Sequence, residues 1–480
     1  MTAPVIVWFR QDLRLADNPA LYEASQTGAP ILPVYILDDA NAGPWKMGGA
    51  SRWWLHHSLK ALHHDLSDGL ACYAGDAESI LTALARQTKA QAIYWNRCYE
   101  PWRVARDARI KTALAESGLT AHSFNGSLLY EPWSVKKSDG TPYRVFTPFF
   151  RKGCAGCGEP AQPLPAPQKI TLMTPPEGAK PVAALGLLPD AVRWDLKMQP
   201  FWDIGEKGAQ KRLDDFLDDG LDGYKEGRNF PAKNNISRLS PYLHFGEISP
   251  RMVWHSIRQR MIFENLETDG DHFLSELGWR EFSYSLLYYN PALPTEPLQN
   301  RFQAFPWNKD EAALSAWQRG QTGYPIVDAG MRELWNTGYM HNRMRMIVGS
   351  FLVKDLLLHW SEGEKWFWDC LVDADLANNA ASWQWIAGCG ADAAPYFRIF
   401  NPVTQGEKFD PNGDYVRRFV PELATLPDAY LHRPWEAPPL ALKNAGITLG
   451  QTYPHPIIDH KQARERALAA FQATKLHGRL

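Results

Sequence analysis

The sequence has few cysteines for its length, with six among 480 residues. Six are too few for the disulfide framework of a small secreted protein. Cys154 and Cys157 form one CxxC pair in a Gly-containing segment predicted to be a loop, but no further zinc ligand lies at a suitable spacing. An iron–sulfur cluster normally needs four thiolates, and only Cys370 and Cys389 lie in the last third of the chain. We therefore expect no metal site.

Long apolar runs are also lacking, and none approaches the length of a membrane span. The N-terminal segment MTAPVIVWFRQDLRL lacks the basic region and long apolar core of a signal peptide, so it is predicted to be a first strand. These features indicate a cytoplasmic protein without membrane association. The net charge of −2 does not indicate a nucleic-acid binder, but it excludes none, because binding needs only a local basic surface.

Tryptophan, in contrast, is abundant, with 20 residues. Most of them should serve packing, but the number allows some to have an electronic role. Hydrophobic residues make up 45% and charged residues 22% of the chain, which is ordinary for a globular protein. The length exceeds that of one ordinary core, so two or more domains are expected.

The first 130 residues alternate between predicted strands and predicted helices. The strand segments are PVIVWFR, PILPVYIL, GLACYAG, AQAIYWN and LTAHSF. This alternation predicts an α/β domain with a doubly wound parallel sheet and helices on both faces. No GxGxxG follows the first strand, which argues against a nicotinamide dinucleotide, although a ligand could still bind at the carboxyl ends of the strands.

Residues 131–200 contain the proline-rich stretch PAQPLPAPQKITLMTPPEGAKP and are predicted to form an extended connector. Residues 201–480 carry apolar residues at three- and four-residue spacing and are predicted to form an all-α domain. Within it, Ser249 is expected to cap a helix that has Pro250 at its first position.

Two helical segments combine polar, aromatic and flexible apolar residues. Glu276 and Trp279 are three residues apart and share a helix face, while Glu276 and Arg280 could form an ion pair; an ordinary amphipathic helix is the alternative. In HNRMRMIVGSFLVKD, Asn342 and Met346 share a face. That pair suits a pocket for a planar ring, although a helix with solvated charges explains it equally well.

A third segment, DADLANNAASWQWIAGCGADAAPYFRIFNP, is poor material for a simple core helix. Asp373 and Asp375 could accept hydrogen bonds from ribose hydroxyls or from a buried arginine. Trp383 and Trp385 should point to nearly opposite sides of a helix, so that one faces inward and the other faces a cleft. Upstream, YKEGRNFPAKNNISRLSPYLHFGEISP could hold a phosphate with its amides and hydroxyls, or contain only an ordinary turn.

Taken together, these segments resemble the photolyase/cryptochrome family over nearly the whole chain. The similarity is carried by WFRQDLRLADNPAL, GYPIVDAGMRELWNTGYMHNRMRM, WQWIAGCGADAAPYFRIFNP and TQGEKFDPNGDYVRRFVPEL. It implies an N-terminal α/β domain over 1–130, a connector over 131–200 and a helical FAD-binding domain over 201–480. The chain most resembles bacterial cyclobutane pyrimidine dimer photolyases close to the class related to plant cryptochromes.

The resemblance also assigns contacts to FAD. The implied residues are Tyr224, Ile236, Ser237, Arg238, Leu239, Ser240, Asn342, Arg345, Asp373, Ala374, Asp375 and Asn379. Asn379 matches the position that faces the flavin N5, and Arg345 with Asp373 matches a salt bridge at the isoalloxazine ring. Ile236 departs from the Thr expected in bacterial relatives, which argues against a hydroxyl contact to phosphate at that position.

For the substrate, the resemblance implies damaged DNA and a pyrimidine dimer flipped into a pocket beside FAD. Trp279 and Trp385 would form the apolar walls, and Glu276 would be catalytic, hydrogen-bonding the pyrimidines and stabilising the radical anion. The remaining implied substrate contacts are Asn342, Arg343 and Met346, with Arg228, Arg343 and Arg398 as candidates for backbone phosphates. The (6-4) photolyases are expected to carry histidines at positions 342 and 346, so cyclobutane dimers are the favoured substrate.

Trp383, Trp360 and Trp307 match the family's electron route to the flavin from the surface. The resemblance further implies a monomer with an antenna chromophore, for which methenyltetrahydrofolate is favoured over an 8-hydroxy-deazaflavin. Two alternatives remain open. One is a cryptochrome photoreceptor with little or no repair, and the other is a non-photochemical flavin oxidoreductase, for which no glycine fingerprint of a nicotinamide site is present.

Overall fold

The computed structural model describes residues 3–393 and 398–477, and side chains as far as Thr474. A five-stranded parallel sheet forms the N-terminal part, in the order β3-β2-β1-β4-β5. The strands are β1 Val5–Phe9, β2 Ile31–Leu37, β3 Ala71–Ala74, β4 Ala92–Asn96 and β5 Thr120–Phe124. The order reverses at β1, which pairs with both β2 and β4. This confirms the predicted doubly wound sheet.

Helices accompany the strands as the sequence predicts. They are α1 Pro19–Gln26, α2 Asp39–Ala42, α3 Gly49–Asp65, α4 Ala77–Thr88, α5 Pro101–Glu116 and the short turn α6 Phe146–Pro148. Every residue of β1 and β2 is buried, so both faces of the central strands are covered. Continuous apolar segments such as VIVWF and ILPVYIL are typical of parallel strands in that position.

The connector pairs with the sheet at two points. Ile31 donates its N–H to Thr171 and accepts from Met173, both at 2.8 Å, and Lys180 donates to Cys72 at 2.8 Å. The proline-rich segment therefore satisfies backbone groups of β2 and β3.

The rest of the described chain is helical. Its helices are α7 Glu206–Asp219, α8 Tyr224–Gly227, α9 Ser240–Phe245, α10 Pro250–Glu264, α11 Glu267–Tyr289, α12 Glu311–Gln318, α13 Pro325–Thr337, α14 Asn342–Ser350, α15 Trp360–Cys370, α16 Leu376–Ala387, α17 Pro402–Phe409, α18 Asp414–Phe419, α19 Asp428–Leu431, α20 Pro439–Asn444 and α21 His460–His477. Ser249 caps α10 by accepting from Met252 N at 3.0 Å, as predicted. None of the helices within the described residues is long and apolar enough to cross a bilayer.

Two π-helical turns interrupt the regular pattern. Phe149–Cys154 follows α6, so Cys154 ends a helical turn where the sequence predicted a loop. Phe351–Asp355 follows α14 and ends the segment that the sequence predicted to continue as helix. Turns of this kind often occur at functional sites.

The chain divides into two compact units. The first contains the residues up to Asp222 together with Ser237–Pro291 and Val372–Ala377. The second contains Gly223–Ile236, Ala292–Leu371 and Asn378–Leu480. The candidate residues fall in both, and each unit is described separately below.

Candidate functional site

In the first unit, residues 237–240 form a tight turn at the start of α9. Arg238 has a left-handed φ of 52°, whereas Leu239 is right-handed with φ −81° and ψ −10°. Successive residues of opposite hand direct neighbouring N–H groups to one side, a geometry that binds anions. Ser237 Oγ accepts from Leu239 N at 3.3 Å, and Ser240 Oγ donates to Asp373 at 2.5 Å. The turn therefore suits the phosphate contact expected there.

Asp375 is the centre of a buried polar cluster in the same unit. It accepts a hydrogen bond from the Tyr284 hydroxyl, and His244 Nδ1 lies 3.6 Å from its Oδ2. Burial alone would raise the pKa of Asp375, but the nearby His244 imidazole and the hydrogen bond from the Tyr284 hydroxyl hold it at about 2. Asp375 is thus an anion. Together with buried Asp373, it gives this unit two carboxylates next to the phosphate-type turn.

Helix α11 carries Glu276 and Trp279 on one face, both half-buried. The indole of Trp279 stacks on Phe146 with ring centroids 3.8 Å apart and planes 10° apart. Arg280 points elsewhere, since its Nη1 donates to Ser127 O at 2.7 Å and lies 3.3 Å from Glu281. The face with Glu276 and Trp279 therefore combines one carboxylate with one fixed aromatic plane.

In the second unit, α14 presents Asn342 as an exposed side chain and Met346 as a half-buried one. Arg343 donates to Asn229, and its guanidinium lies 4.3 Å from the ring centroid of Phe409. Arg345 instead donates to Met340 O at 2.8 Å.

Three arginines of this unit form a basic cluster. Burial, with the nearby charges of Arg228 and Arg398, lowers the pKa of Arg343. Arg228 also lies 5.3 Å over the ring of buried Tyr224. Like charges held this close are typical of an anion-binding surface, and the three are those expected to bind DNA phosphates. Ile236, which follows Arg228 in the chain, is half-buried.

Buried Asn379 donates to Glu364 O at 3.0 Å. Burial raises the pKa of the Glu364 carboxyl to about 8, and its Oε1 has no hydrogen-bond partner among the described residues. On the same helix as Asn379, Trp383 is buried and Trp385 is half-buried. The two indoles therefore differ in exposure, as expected for residues on nearly opposite sides of a helix.

The three tryptophans of the expected electron route all lie at or against the start of α15 in the second unit, and with His359 we call them the aromatic row. The Trp383 ring fills the space that a side chain at Gly363 would need, one turn after Trp360 begins α15. His359 continues the row, because its ring lies 5.2 Å from those of both Trp360 and Trp307. Trp360 is fully buried and Trp307 is partly exposed, so the row runs from the interior toward the surface.

Comparison with known proteins decides the family. The DNA photolyase domain matches residues 5–168, and the FAD binding domain of DNA photolyase matches residues 273–473. A deoxyribodipyrimidine photo-lyase of Agrobacterium fabrum is 53% identical, over 99% of this chain and 98% of that protein. The chain belongs to the photolyase/cryptochrome family.

Two further members of the photolyase/cryptochrome family are similar to nearly the whole of this chain. The crystal structure of a bacterial class III photolyase from Agrobacterium tumefaciens matches with a TM-score of 0.93 and 53% identity, covering 99% of this chain and 98% of that one. Cryptochrome-2 of Arabidopsis thaliana is 39% identical over 99% of this chain and 80% of its own length. The expected fold and the expected FAD-binding domain are both confirmed. Residues 394–397, part of one motif quoted for the resemblance, lie outside the described residues.

Several polar and aromatic partners were not found from the sequence. Tyr284 and His244, which hold Asp375, lie about 90 and 130 residues away from it in the chain, so no spacing rule links them. Phe146 lies in a segment without periodicity, and His359 is a single polar residue near the end of an apolar helical pattern. The PYRVFTPFF stretch was a usable signal for Phe146, because three phenylalanines within five residues are unusual in a connector.

Proposed function

We propose that this photolyase-family protein repairs cyclobutane pyrimidine dimers in DNA with light. The observation that carries the proposal is the face of α11, where Glu276 lies beside Trp279 with its indole fixed by stacking. Full-length similarity to a deoxyribodipyrimidine photo-lyase supports it. Reduced FAD, when bound, supplies the light-excited electron that opens the dimer.

The residues of the chain would bind and hold the lesion. Enzymes that act on a base in DNA, photolyases among the standard examples, flip it out of the duplex at a general cost of a few kcal/mol. A dimer stacks and pairs poorly, which lowers that cost. Trp279 and Trp385 would contact the flipped pyrimidines, Glu276 would hydrogen-bond them, and Asn342 and Met346 are further proposed contacts to the lesion.

The basic cluster of Arg228, Arg343 and Arg398 would neutralise DNA phosphates and set the register of the duplex. We further propose that the protein acts as a monomer in the cytoplasm.

The residues also fit FAD. The turn at 237–240 offers N–H groups to a pyrophosphate, and Asp373 with Asp375 offers acceptors for hydroxyl groups. Tyr224, Ile236, Ala374 and Arg345 complete the proposed contacts. Asn379 would present a neutral amide to the flavin N5, where a negative charge would oppose reduction.

For the antenna we propose methenyltetrahydrofolate rather than an 8-hydroxy-deazaflavin. Side chains fill the carboxyl end of β1. The guanidinium carbons of Arg10 and Arg106 lie 4.6 and 4.7 Å from the ring centroid of Trp8, and both arginines form ion pairs with Asp107. A tricyclic ligand in the usual crevice at the strand ends would have to displace this cluster. Acid extraction and absorption spectroscopy of the released chromophore test the choice.

A light-dependent repair assay tests the main proposal. Reduced holoprotein is mixed with an oligonucleotide that contains one dimer and is illuminated near 380 nm (approximate, from flavin absorption) or kept dark. We expect loss of dimers only in the light. The alternative, a photoreceptor without repair, is favoured by the similarity to cryptochrome-2 and predicts no loss in either condition.

Replacing Glu276 with alanine should lower repair per bound lesion by about 2- to 10-fold, the worth of one hydrogen bond. FAD should stay bound, because Glu276 lies outside the proposed cofactor contacts. Glu267→Ala, on an exposed residue of the same helix, is the matched control. An unchanged repair yield in Glu276→Ala would remove Glu276 from the mechanism.

A further inference from the structure

Trp279 is the last member of a stack of four flat groups in the first unit. Its indole lies on Phe146, and Phe146 is in turn parallel to Phe150, with centroids 5.7 Å apart and planes 9° apart. The guanidinium of Arg151 lies 5.3 Å from the Phe150 centroid. We call Arg151, Phe150, Phe146 and Trp279 the aromatic stack.

The far end of the aromatic stack is anchored to α11. Arg151 donates two hydrogen bonds to Asp271, at 2.8 and 2.6 Å. Buried Phe150 lies so close to Gly278 that a Cβ there would be 2.5 Å from its ring. Glycine is therefore needed immediately before Trp279, and the π-helical turn at Phe149–Cys154 is pressed against the helix that carries the tryptophan.

We propose that Phe146 is a positioning residue for lesion binding, an inference that rests on the proposed repair function. Phe146 covers one face of the Trp279 indole and fixes its plane, so that the other face is left for the flipped pyrimidines. A ring that is already ordered loses little entropy when the lesion stacks on it. Phe146 is itself half-buried, so its position at the indole is not explained by burial in a core.

The position of the Trp279 ring can be measured without DNA or light. Holoprotein labelled with 5-fluorotryptophan is studied by ¹⁹F NMR, and the Trp279 line is assigned as the one missing from Trp279→Phe. Stacking on Phe146 shifts that line upfield through the ring current. In Phe146→Ala we expect it to move downfield, whereas Phe146→Tyr should keep the wild-type position.

Lesion binding is then measured in the dark. We expect Phe146→Ala to raise the Kd for a dimer-containing oligonucleotide by about 2- to 12-fold, the worth of one aromatic pair, without changing the Kd for undamaged DNA. Repair per bound lesion at saturating DNA should stay at the wild-type level, and Phe146→Tyr should restore the affinity. Phe124→Ala is the matched control, because Phe124 is also half-buried and parallel to a second ring, that of Tyr94.

Each result separates the two proposals. If the wild type binds dimers no better than undamaged DNA and repairs none in the light, the proposed function fails and the role of Phe146 fails with it. If the wild type discriminates but Phe146→Ala leaves either the ¹⁹F line or the lesion affinity unchanged, only the inference about Phe146 is wrong.

Discussion

Phenylalanine in place of Trp360 is expected to cause a near-complete loss of light-driven reduction of the oxidised enzyme by an external thiol. Repair by enzyme that has first been reduced chemically with dithionite should stay at the wild-type level. The two measurements are the absorbance change of the flavin under illumination and the loss of dimers from a damaged oligonucleotide.

The reason is the position of Trp360 within the aromatic row. Trp383 packs at the first turn of α15, which Trp360 begins, and His359 links Trp360 to the partly exposed Trp307. Phenylalanine keeps an apolar ring at this fully buried position but is much harder to oxidise than an indole. The substitution therefore interrupts electron supply and leaves packing largely intact, and we expect the same result from Trp307→Phe.

Trp317 provides the matched control. It is also fully buried, and its ring lies 6.2 Å from that of Trp383. It is not a member of the aromatic row, however, so it is not expected to pass electrons between Trp383 and Trp307. Trp317→Phe should therefore leave photoreduction unchanged. Normal photoreduction in Trp360→Phe together with its loss in Trp317→Phe would mean that electrons enter by a different branch.

Local sequence signals predicted the fold well because its elements are local. The apolar segments of β1 and β2 and the Ser249–Pro250 start of α10 each express one physical rule within a few residues. The same rules did not predict the π-helical turn at Phe351–Asp355, since apolar residues continue at helical spacing through it. A π-helical turn lengthens the hydrogen-bonded repeat by one residue without interrupting the apolar pattern, so the pattern alone does not reveal it.

The candidate site was predictable only where its residues are close in the chain. Glu276 with Trp279, and Trp383 with Trp385, followed from helical spacing. The partners that fix these groups come from distant segments, as with Phe146 on Trp279 and Tyr284 on Asp375. A single sequence carries no sign of which distant residue completes such a pair, although the family resemblance supplied most of the roles.

Glu247 shows how much a distant environment can change an ordinary residue. In the sequence it is one carboxylate in HFGEIS, but in the structure it is fully buried, and one of its oxygens has no partner among the described residues. Burial raises its pKa to about 8, even though Trp54 Nε1 donates to its other oxygen at 3.1 Å. The folded protein therefore holds Glu247 protonated at neutral pH.

This raised pKa makes stability depend on pH with a definite sign. Because the folded state binds the proton more tightly than the unfolded state, the contribution is complete below the unfolded pKa of 4.5 and is lost as the pH rises to about 8. At about 1.4 kcal/mol for each pKa unit, wild type should lose about 3 kcal/mol from this group between pH 5 and pH 8.

Glu247→Gln should remove that loss, because an amide fills the same space and never ionises. Urea unfolding should give the variant and the wild type similar stability at pH 5, and a variant that is more stable by about 3 kcal/mol at pH 8. The other buried carboxyls, such as Glu364, are present in both proteins and cancel in the comparison. Glu226→Gln, on an exposed residue, should follow the wild type at both pH values. Parallel curves for Glu247→Gln and wild type would mean that Glu247 is ionised in the folded state, and that its burial is compensated by a donor to the second oxygen.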